Sequence, residues 1–431
     1  MRNMYEASHI GYDHILWFYI LNAFDYVNVP NALNANPTTP SLQAVQDQVR
    51  AVVESGQLGP FANHWWDHPG YMLPAELDLE LTAHYLQAIE IQQAANDAQA
   101  FMAGRFPMVM NYAAGGMQNM LSIEQIQYYA GQMRRVKEFV DTVMVPDLLA
   151  IAPYYLSLAE TGQGHQNYLS WGIFDDESQD PINRLIPSGT IFDGAVTDVQ
   201  EANLDDIRMY TKHSWYEDGD AAGVHPLDFD QAINFTQLDD MEDENTYPED
   251  KYDWSSAARY GQDSAPMEVG PLADILVAYG SGRQEVVDLV DSTLEAVGAP
   301  GQPQILMSNL GRIAARVLRE KLNVDYAQQW ANELLELMGA GNSRVLEPVD
   351  IMRDGEGSGG WNAPRGALAH FMRTSGGKIE RYAAVPPTNW NLSPRDEQDV
   401  RGPLEETLVG LPVEDPERPL EILRVIHTFD P

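Results

Sequence analysis

The side chains best suited to chemistry in this chain are an arginine, two carboxylates and a hydroxyl, each in a short distinctive setting. Arg365 lies in the turn-like run Ala363-Pro364-Arg365-Gly366, and Thr388 follows the pair Pro386-Pro387. Asp13 stands beside His14, and Asp430 precedes Pro431. A guanidinium is planar and always charged, so it can polarise a bound group and orient a base. A lone hydroxyl in an apolar pocket supplies one directed donor. Each residue also has a plain structural use. Arg365 could be an exposed turn arginine and Thr388 a turn cap, while Asp13 and His14 could form a buried pair and Asp430 could fray.

Metal chemistry is constrained by what the chain lacks. There is no cysteine, so it offers neither a disulfide nor a thiolate ligand. Its 10 histidines are scattered and show no spacing such as H-E-x-x-H. Metal binding through this chain alone is therefore not expected. His84, among Leu81, Tyr85 and Ala88, reads as a packing histidine. Trp65-Trp66 and the methionines Met117 and Met120 read as core or partner-facing surface.

The elements that must position these groups are mainly helical. Apolar residues at helical spacing (Ile10, Ile15, Phe18, Ile20, Leu21, Phe24) predict a buried helix over 7–27, closed by Pro30. A short helix is expected near 41–54. A long one is expected over 75–103, with Pro74 at its first position and Leu77, Leu79, Leu81, Tyr85, Leu86, Ile89 and Ile91 forming a broad apolar face. Further helical patterns run from Ser122 to about Leu156, over 270–296 and over 309–338. The fold class expected is mainly α with minor β, a central bundle of long helices in one large domain over 1–431. Residues 165–265, rich in Asp, Gly, Pro and aromatics with short β-like runs, read as an irregular excursion over that bundle. Residues 361–396 read as a short β and loop region, with strand character at Ile379–Val385.

A formal net charge of −38, from 64 acidic and 26 basic residues, would repel a phosphate backbone and an anionic lipid surface. Nucleic acid is excluded as a partner. Acids crowd 175–177, 239–244 and 414–417 and read as a solvated surface, with salt adaptation a guess about habitat. No apolar run reaches the ~18 residues of a membrane span, and residues 1–6 lack the features of a secretory signal. Localisation stays open, with membrane association through partner subunits one reading.

The ordered set of short motifs carries a resemblance. Trp361-Asn362-Ala363-Pro364-Arg365-Gly366 and Pro386-Pro387-Thr388-Asn389-Trp390-Asn391 resemble the C-terminal active-site signature of the [NiFe]-hydrogenase large subunit. His68-Pro69-Gly70-Tyr71, Ala83-His84-Tyr85-Leu86, His213-Ser214-Trp215-Tyr216, Pro266-Met267-Glu268-Val269-Gly270-Pro271, Leu310-Gly311-Arg312 and Gly402-Pro403-Leu404-Glu405-Glu406 are similar to further stretches of that family, in its order. The likeness is to the respiratory uptake type and spans nearly the whole chain.

This resemblance implies a helical-bundle large subunit holding a [NiFe] centre with CN and CO ligands beside a small subunit that carries iron–sulfur clusters. By resemblance, Arg365 hangs over the metals and, with Pro364, surrounds a diatomic iron ligand. Thr388, next to Pro387, hydrogen-bonds a cyanide, and Asp13 and Asp430 pair with the arginine. Arg365, Asp13 and Asp430 are thus the catalytic candidates, and Pro364, Arg365, Pro387 and Thr388 the cofactor-binding ones. Two family elements are missing. One is the N-terminal Arg-x-Cys-Gly-x-Cys region with its acidic partner. The other is the terminal Asp-Pro-Cys-x-x-Cys-x-x-His, of which Asp430-Pro431 remain. The chain reads as beginning after one cysteine pair and stopping before the other. Met108 also departs from the histidine that relatives carry in a Lys/Arg-x-Pro-His element.

Two functions follow. In the first, the chain is the central part of a hydrogenase that splits H2 heterolytically and reversibly. Peptides carrying the missing cysteine motifs lend the metal ligands, and electrons pass to the iron–sulfur small subunit and on to a membrane cytochrome or another acceptor. In the alternative, it is a cysteine-less, non-catalytic scaffold homologue. Retention of Arg365 and two carboxylates argues for the first, since such charges in a dry pocket are costly without a use.

Overall fold

In the computed structural model the long apolar periodicities become helices. The described residues are all but 58–64, 218, 221, 233–250, 343, 348 and 351–352, so the acidic run 239–244 lies outside them. They cluster into two compact units: 1–159, 313–349 and 412–428 in the first, and 160–312, 350–411 and 429–431 in the second.

The first unit is helical. Helix α1 (Arg2–Leu16) starts earlier than its apolar pattern and passes into a π-helical turn, Trp17–Asn22. Ile10, Ile15, Phe18 and Phe24 are buried as expected, whereas Ile20 faces outward. Helix α2 (Pro40–Ser55) is capped by the Thr39 hydroxyl, which accepts from Leu42 N. Helix α3 (Ala75–Ala103) has Pro74 at its N-cap rather than its first turn, because the proline backbone there is extended. Its buried face is narrower than the leucine pattern suggests. Leu86 and Ile89 are exposed, while Ala88, Ala94, Ala95 and Ala98 are buried and let neighbouring backbones approach closely.

Helix α4 (Ile123–Phe139) begins at a reciprocal cap in which the Ser122 hydroxyl accepts from Gln125 N and the Gln125 side chain accepts from Ser122 N. It continues through a π-helical turn into α5 (Val145–Ile151). His84 of α3 is bonded through Nδ1 to buried Asp147 at 2.9 Å, and Tyr19 donates to the same carboxylate at 2.7 Å. A two-stranded pair, β1 (Tyr112–Ala113) with β2 (Gly116–Met117), completes this part.

The second unit corrects one expectation. The pattern over 270–296 is two helices, α6 (Pro271–Gly280) and α7 (Gln284–Ala296), broken where Gly282 adopts a left-handed φ of +70°. Within residues 165–265 the short β-like runs form strands. They supply antiparallel pairs β3 (Tyr168–Ile173) with β4 (Ile186–Ile191) and β5 (Ile207–Tyr210) with β6 (Ala257–Tyr260). Their side chains Leu169, Trp171, Ile207, Met209 and Tyr260 enter a core with Met267, Phe371 and Trp390.

Helix α8 (Asn309–Gly339) has its first turn, 309–312, in the second unit and the remainder in the first. The strand expected at Ile379–Val385 is part of a three-stranded antiparallel meander: β7 (Gly355–Ala363), β8 (Gly366–Ser375) and β9 (Lys378–Val385). Short helices α9 (Pro387–Asn391), α10 (Pro403–Leu408) and α11 (Leu420–Thr428) follow. Among the described residues no helix is long and apolar enough to cross a membrane.

Candidate active site

Arg365 occupies the tip of a β-hairpin. Ala363 pairs with Gly366 across β7 and β8, leaving Pro364 and Arg365 as the connecting turn. Gly366 has φ +128°, and a Cβ there would lie 2.4 Å from Gly270 N. Gly270 has φ +121°, and its own Cβ would meet Arg365 O at 3.1 Å. Two glycines therefore let the hairpin tip press against the loop that enters α6.

Behind the tip, β7 is anchored by Asn362, which is fully buried. Its amide donates to Ser170 Oγ and to Asp274 Oδ1, both at 2.7 Å, and its carbonyl accepts from Trp171 N at 2.9 Å. All these partners belong to the second unit. A buried amide with its donors and acceptor engaged fixes a backbone position firmly.

Thr388 is positioned by its neighbours in the same way. Asn391 clamps Val269 from both sides, its carbonyl accepting from Val269 N and its amide donating to Val269 O, each at 2.9 Å. Asn389 donates to Ser255 Oγ at 3.0 Å and Ser256 O at 3.1 Å, and Trp390 is fully buried. The segments carrying Arg365 and Thr388 thus converge on the dipeptide Val269-Gly270. Thr388 sits inside α9 and is half-buried, next to buried Pro387. Its hydroxyl makes no cap, since the N-cap is Pro386 and involves no side-chain bond.

Asp430 meets the arginine. Its Oδ1 lies 3.2 Å from Arg365 Nε, the aspartate being 2% exposed and the arginine side chain 38%. The Asp430 backbone is left-handed, with φ +56°. It is preceded by Phe429, whose ring lies under the Arg312 guanidinium at 4.4 Å. Arg312 is gripped by Glu268 through Nε at 2.8 Å and Nη2 at 2.7 Å, and it donates to Gly162 O at 2.7 Å and Asn309 Oδ1 at 3.1 Å. Such a bidentate, fully engaged guanidinium is a rigid platform.

Asp13 belongs to the first unit. It is 6% exposed on α1, beside fully buried His14. The Arg316 guanidinium lies 3.3 Å from His14 Nδ1 and 4.4 Å over the Trp17 ring. The second unit therefore brings Arg365, Asp430, Pro364, Pro387 and Thr388 onto one connected frame, and Asp13 lies on α1 of the first unit beside His14. Among residues that sequence reasoning left without a role, Asn362, Glu268 and Arg312 turn out to hold this frame. All three lie inside motifs that carry the family resemblance, which is their only signal in the sequence.

The whole chain, residues 1–431, matches the model of the nickel-dependent hydrogenase family. The chain belongs to that family. It is 34% identical to the Hydrogenase-2 large chain of Escherichia coli (strain K12), with all of this chain and 80% of that protein covered. It is 32% identical to the uptake hydrogenase large subunit of Rhizobium leguminosarum bv. viciae, covering 79% of it. Among solved structures, the reduced, active Ni-Fe-Se hydrogenase from Desulfomicrobium baculatum superposes with a TM-score of 0.76 at 26% identity, over 100% of this chain and 80% of that one. The mainly helical fold with minor strand is that of hydrogenase large subunits.

A nickel–iron centre held by thiolates does not fit the donor set of these 431 residues. The chain has no cysteine, and among the described residues no cluster of three or more His, Asp or Glu side chains could hold a metal ion. No residue here is assigned as a metal ligand. An apolar groove lined by Val29, Val45, Val49, Trp66 and Tyr85 contains none of the candidate residues.

Proposed function

We propose that this chain is the central part of a [NiFe]-hydrogenase large subunit of the respiratory uptake type, with the two units acting as one domain in reversible heterolytic H2 cleavage. Thiolates from sequence outside these 431 residues hold the metals, and this chain supplies the charged surround. Electrons leave to an iron–sulfur small subunit. The names of the relatives, large chains and large subunits of uptake hydrogenases, support that type and that pairing.

The observation that carries the reading is the Arg365–Asp430 pair at a braced hairpin tip. Arg365 keeps its charge at any working pH, so it can stabilise negative charge and steer a proton towards a neighbouring carboxylate. Asp430 orients that guanidinium. Thr388 contributes one hydroxyl donor on a clamped helix, with buried Pro364 and Pro387 next to Arg365 and Thr388. Asp13, on the first unit, is the second candidate carboxylate.

The test is nickel and iron analysis of the chain assembled with its small subunit, together with H2-dependent dye reduction. Stoichiometric nickel with H2 turnover is the expected result. A stable complex with no nickel would instead establish the scaffold reading, which the absence of cysteine favours.

A further inference from the structure

The motif His213-Ser214-Trp215-Tyr216 plays no part in the reading above, and in the second unit it backs two exposed rings. Residues 213–215 run beside 252–254. Ser214 and Asp253 form a parallel bridge, Tyr252 N donates to His213 O at 3.0 Å, and Trp215 N donates to Asp253 O at 2.9 Å. Trp254 is 52% exposed and makes a T-shaped contact with buried Trp215, the ring centroids 4.4 Å apart. Tyr252 is 37% exposed and lies 5.7 Å from the ring of buried His213. His213 is held in turn through Nε2 by Asp399 Oδ1 at 2.8 Å. Each exposed ring therefore rests on a fixed one, and little side-chain freedom is left to lose when a partner docks. Rigid aromatic rings are the anchors on which interfaces concentrate their binding energy.

The charge around these rings selects the partner. The Tyr252 hydroxyl donates to Glu405 Oε1 at 2.6 Å, and Gly402 N donates to Glu405 Oε2 at 3.3 Å, so a carboxylate on α10 is fixed at the edge of the exposed tyrosine. Half-buried Asp253 stands between the two ring residues, its Oδ1 accepting from Ser255 N at 2.6 Å. Burial raises the Asp253 pKa, the Ser255 amide opposes the rise, and the Glu405 charge adds to it. Lys212 is paired with Asp399 at 2.8 Å. Exposed Arg395, whose backbone N–H donates to the Tyr252 hydroxyl at 2.9 Å, stands on the other side of the balance. A cation seated here is attracted by the ring faces and by two carboxylates. An anionic group would meet those carboxylates and the field of a chain at −38.

We propose that Tyr252 and Trp254 form a docking platform for arginine or lysine side chains on a basic segment of a partner protein. The two rings supply cation–π contacts, Glu405 and Asp253 supply the opposite charge, and the buried His213 and Trp215 keep the rings in place before the partner arrives. The inference is independent of hydrogen chemistry, since neither ring belongs to the frame that carries Arg365 and Thr388. Because the attraction is largely between charges at a surface, it weakens as salt rises.

The test is a titration of the purified full chain, its nine tryptophans fluorine-labelled, with a tetra-arginine peptide at low salt. In fluorine NMR the Trp254 signal, identified by its loss in W254F, is expected to move saturably with tetra-arginine and to stay in place with tetraglutamate. By calorimetry, W254A and Y252A are each expected to weaken peptide binding about three-fold or more. E405Q should weaken it as well, whereas R395A, which removes a competing cation, should tighten it. Y382A, which removes a tyrosine equally open to solvent on β9, should bind as wild type does. A Trp254 signal indifferent to the peptide overturns the proposal, as does wild-type affinity in both W254A and Y252A. Sedimentation of the chain without peptide supplies the last arm: a shift to smaller species in W254A would mean that the rings serve a second copy of this chain, and the proposal falls. Should W254A fail to fold, the wild-type signal together with E405Q and R395A gives the answer.

Discussion

Asp430 Oδ1 approaches Arg365 Nε to 3.2 Å while the aspartate is almost entirely buried and the arginine is more than a third exposed. The charge of the arginine is thus presented at a surface, and the group that aims it is locked inside. A pair so open contributes little to folding, about 1 kcal/mol or less. Its worth lies in direction. R365K is expected to leave the melting temperature within a few degrees of wild type and to lower H2 turnover of the nickel-loaded complex about 100-fold. Lysine keeps the charge and loses the planar fork. Equal turnover by the two proteins in a dye-reduction assay would remove Arg365 from the reaction.

Arg312 behaves in the opposite way, because both it and Glu268 are buried and their hydrogen bonds are short. R312M strands the Glu268 carboxylate in the core and is expected to cost about 3–5 kcal/mol in urea unfolding. Adding E268Q should recover part of that loss. A double variant no more stable than the single one would mean that Arg312 matters for its stack on Phe429 rather than for its ion pair.

His84 gives the fold a pH dependence of known sign. Burial would lower its pKa, but the hydrogen bond and charge of Asp147 outweigh burial and raise it above the ordinary 6.5. A histidine with a raised folded-state pKa contributes stability that is fully present below its unfolded value and disappears as pH climbs through the folded one. H84Q should therefore be less stable than wild type by about 1–2 kcal/mol at pH near 6, with the gap closing at alkaline pH. Urea midpoints of both proteins across that range check it, and a gap independent of pH would show that the imidazolium form is not what Asp147 holds.

Much of this was legible in the sequence, for uneven reasons. The 75–103 helix appears at the expected residues because its punctuation, Pro74 before and Gly104 after, coincides with its apolar span. The 270–296 pattern misled because a helical period does not register Gly282, whose left-handed φ breaks α6 from α7. Residues 165–265 showed only short β-like runs because their strands are short and buried on both faces, which erases the alternation that marks an exposed strand. At the site, Arg365 and Thr388 were readable from their local runs. Glu268, Arg312 and Asn362 were not, since a buried polar residue declares its role only when its partners, distant in sequence, are in place.

The glycine at 366 makes the sharpest demand on the hairpin that carries Arg365. Its φ of +128° is a conformation L side chains rarely adopt, and a Cβ would sit 2.4 Å from Gly270 N and 2.8 Å from Gly270 Cα. Backbone, not a flexible side chain, blocks the way, so G366A has to displace the tip or the loop entering α6. The expected stability loss is about 2 kcal/mol or more. The loss of H2 turnover should exceed what that destabilisation explains, because the displaced atoms are those adjoining Arg365. Gly357 provides the control on β7, the other strand of the same hairpin: it is exposed and nothing lies within 4 Å of its added Cβ. G357A should match wild type in both unfolding and turnover. If G366A also matched it, the close approach of the hairpin to Gly270 would not be what sets the arginine in place.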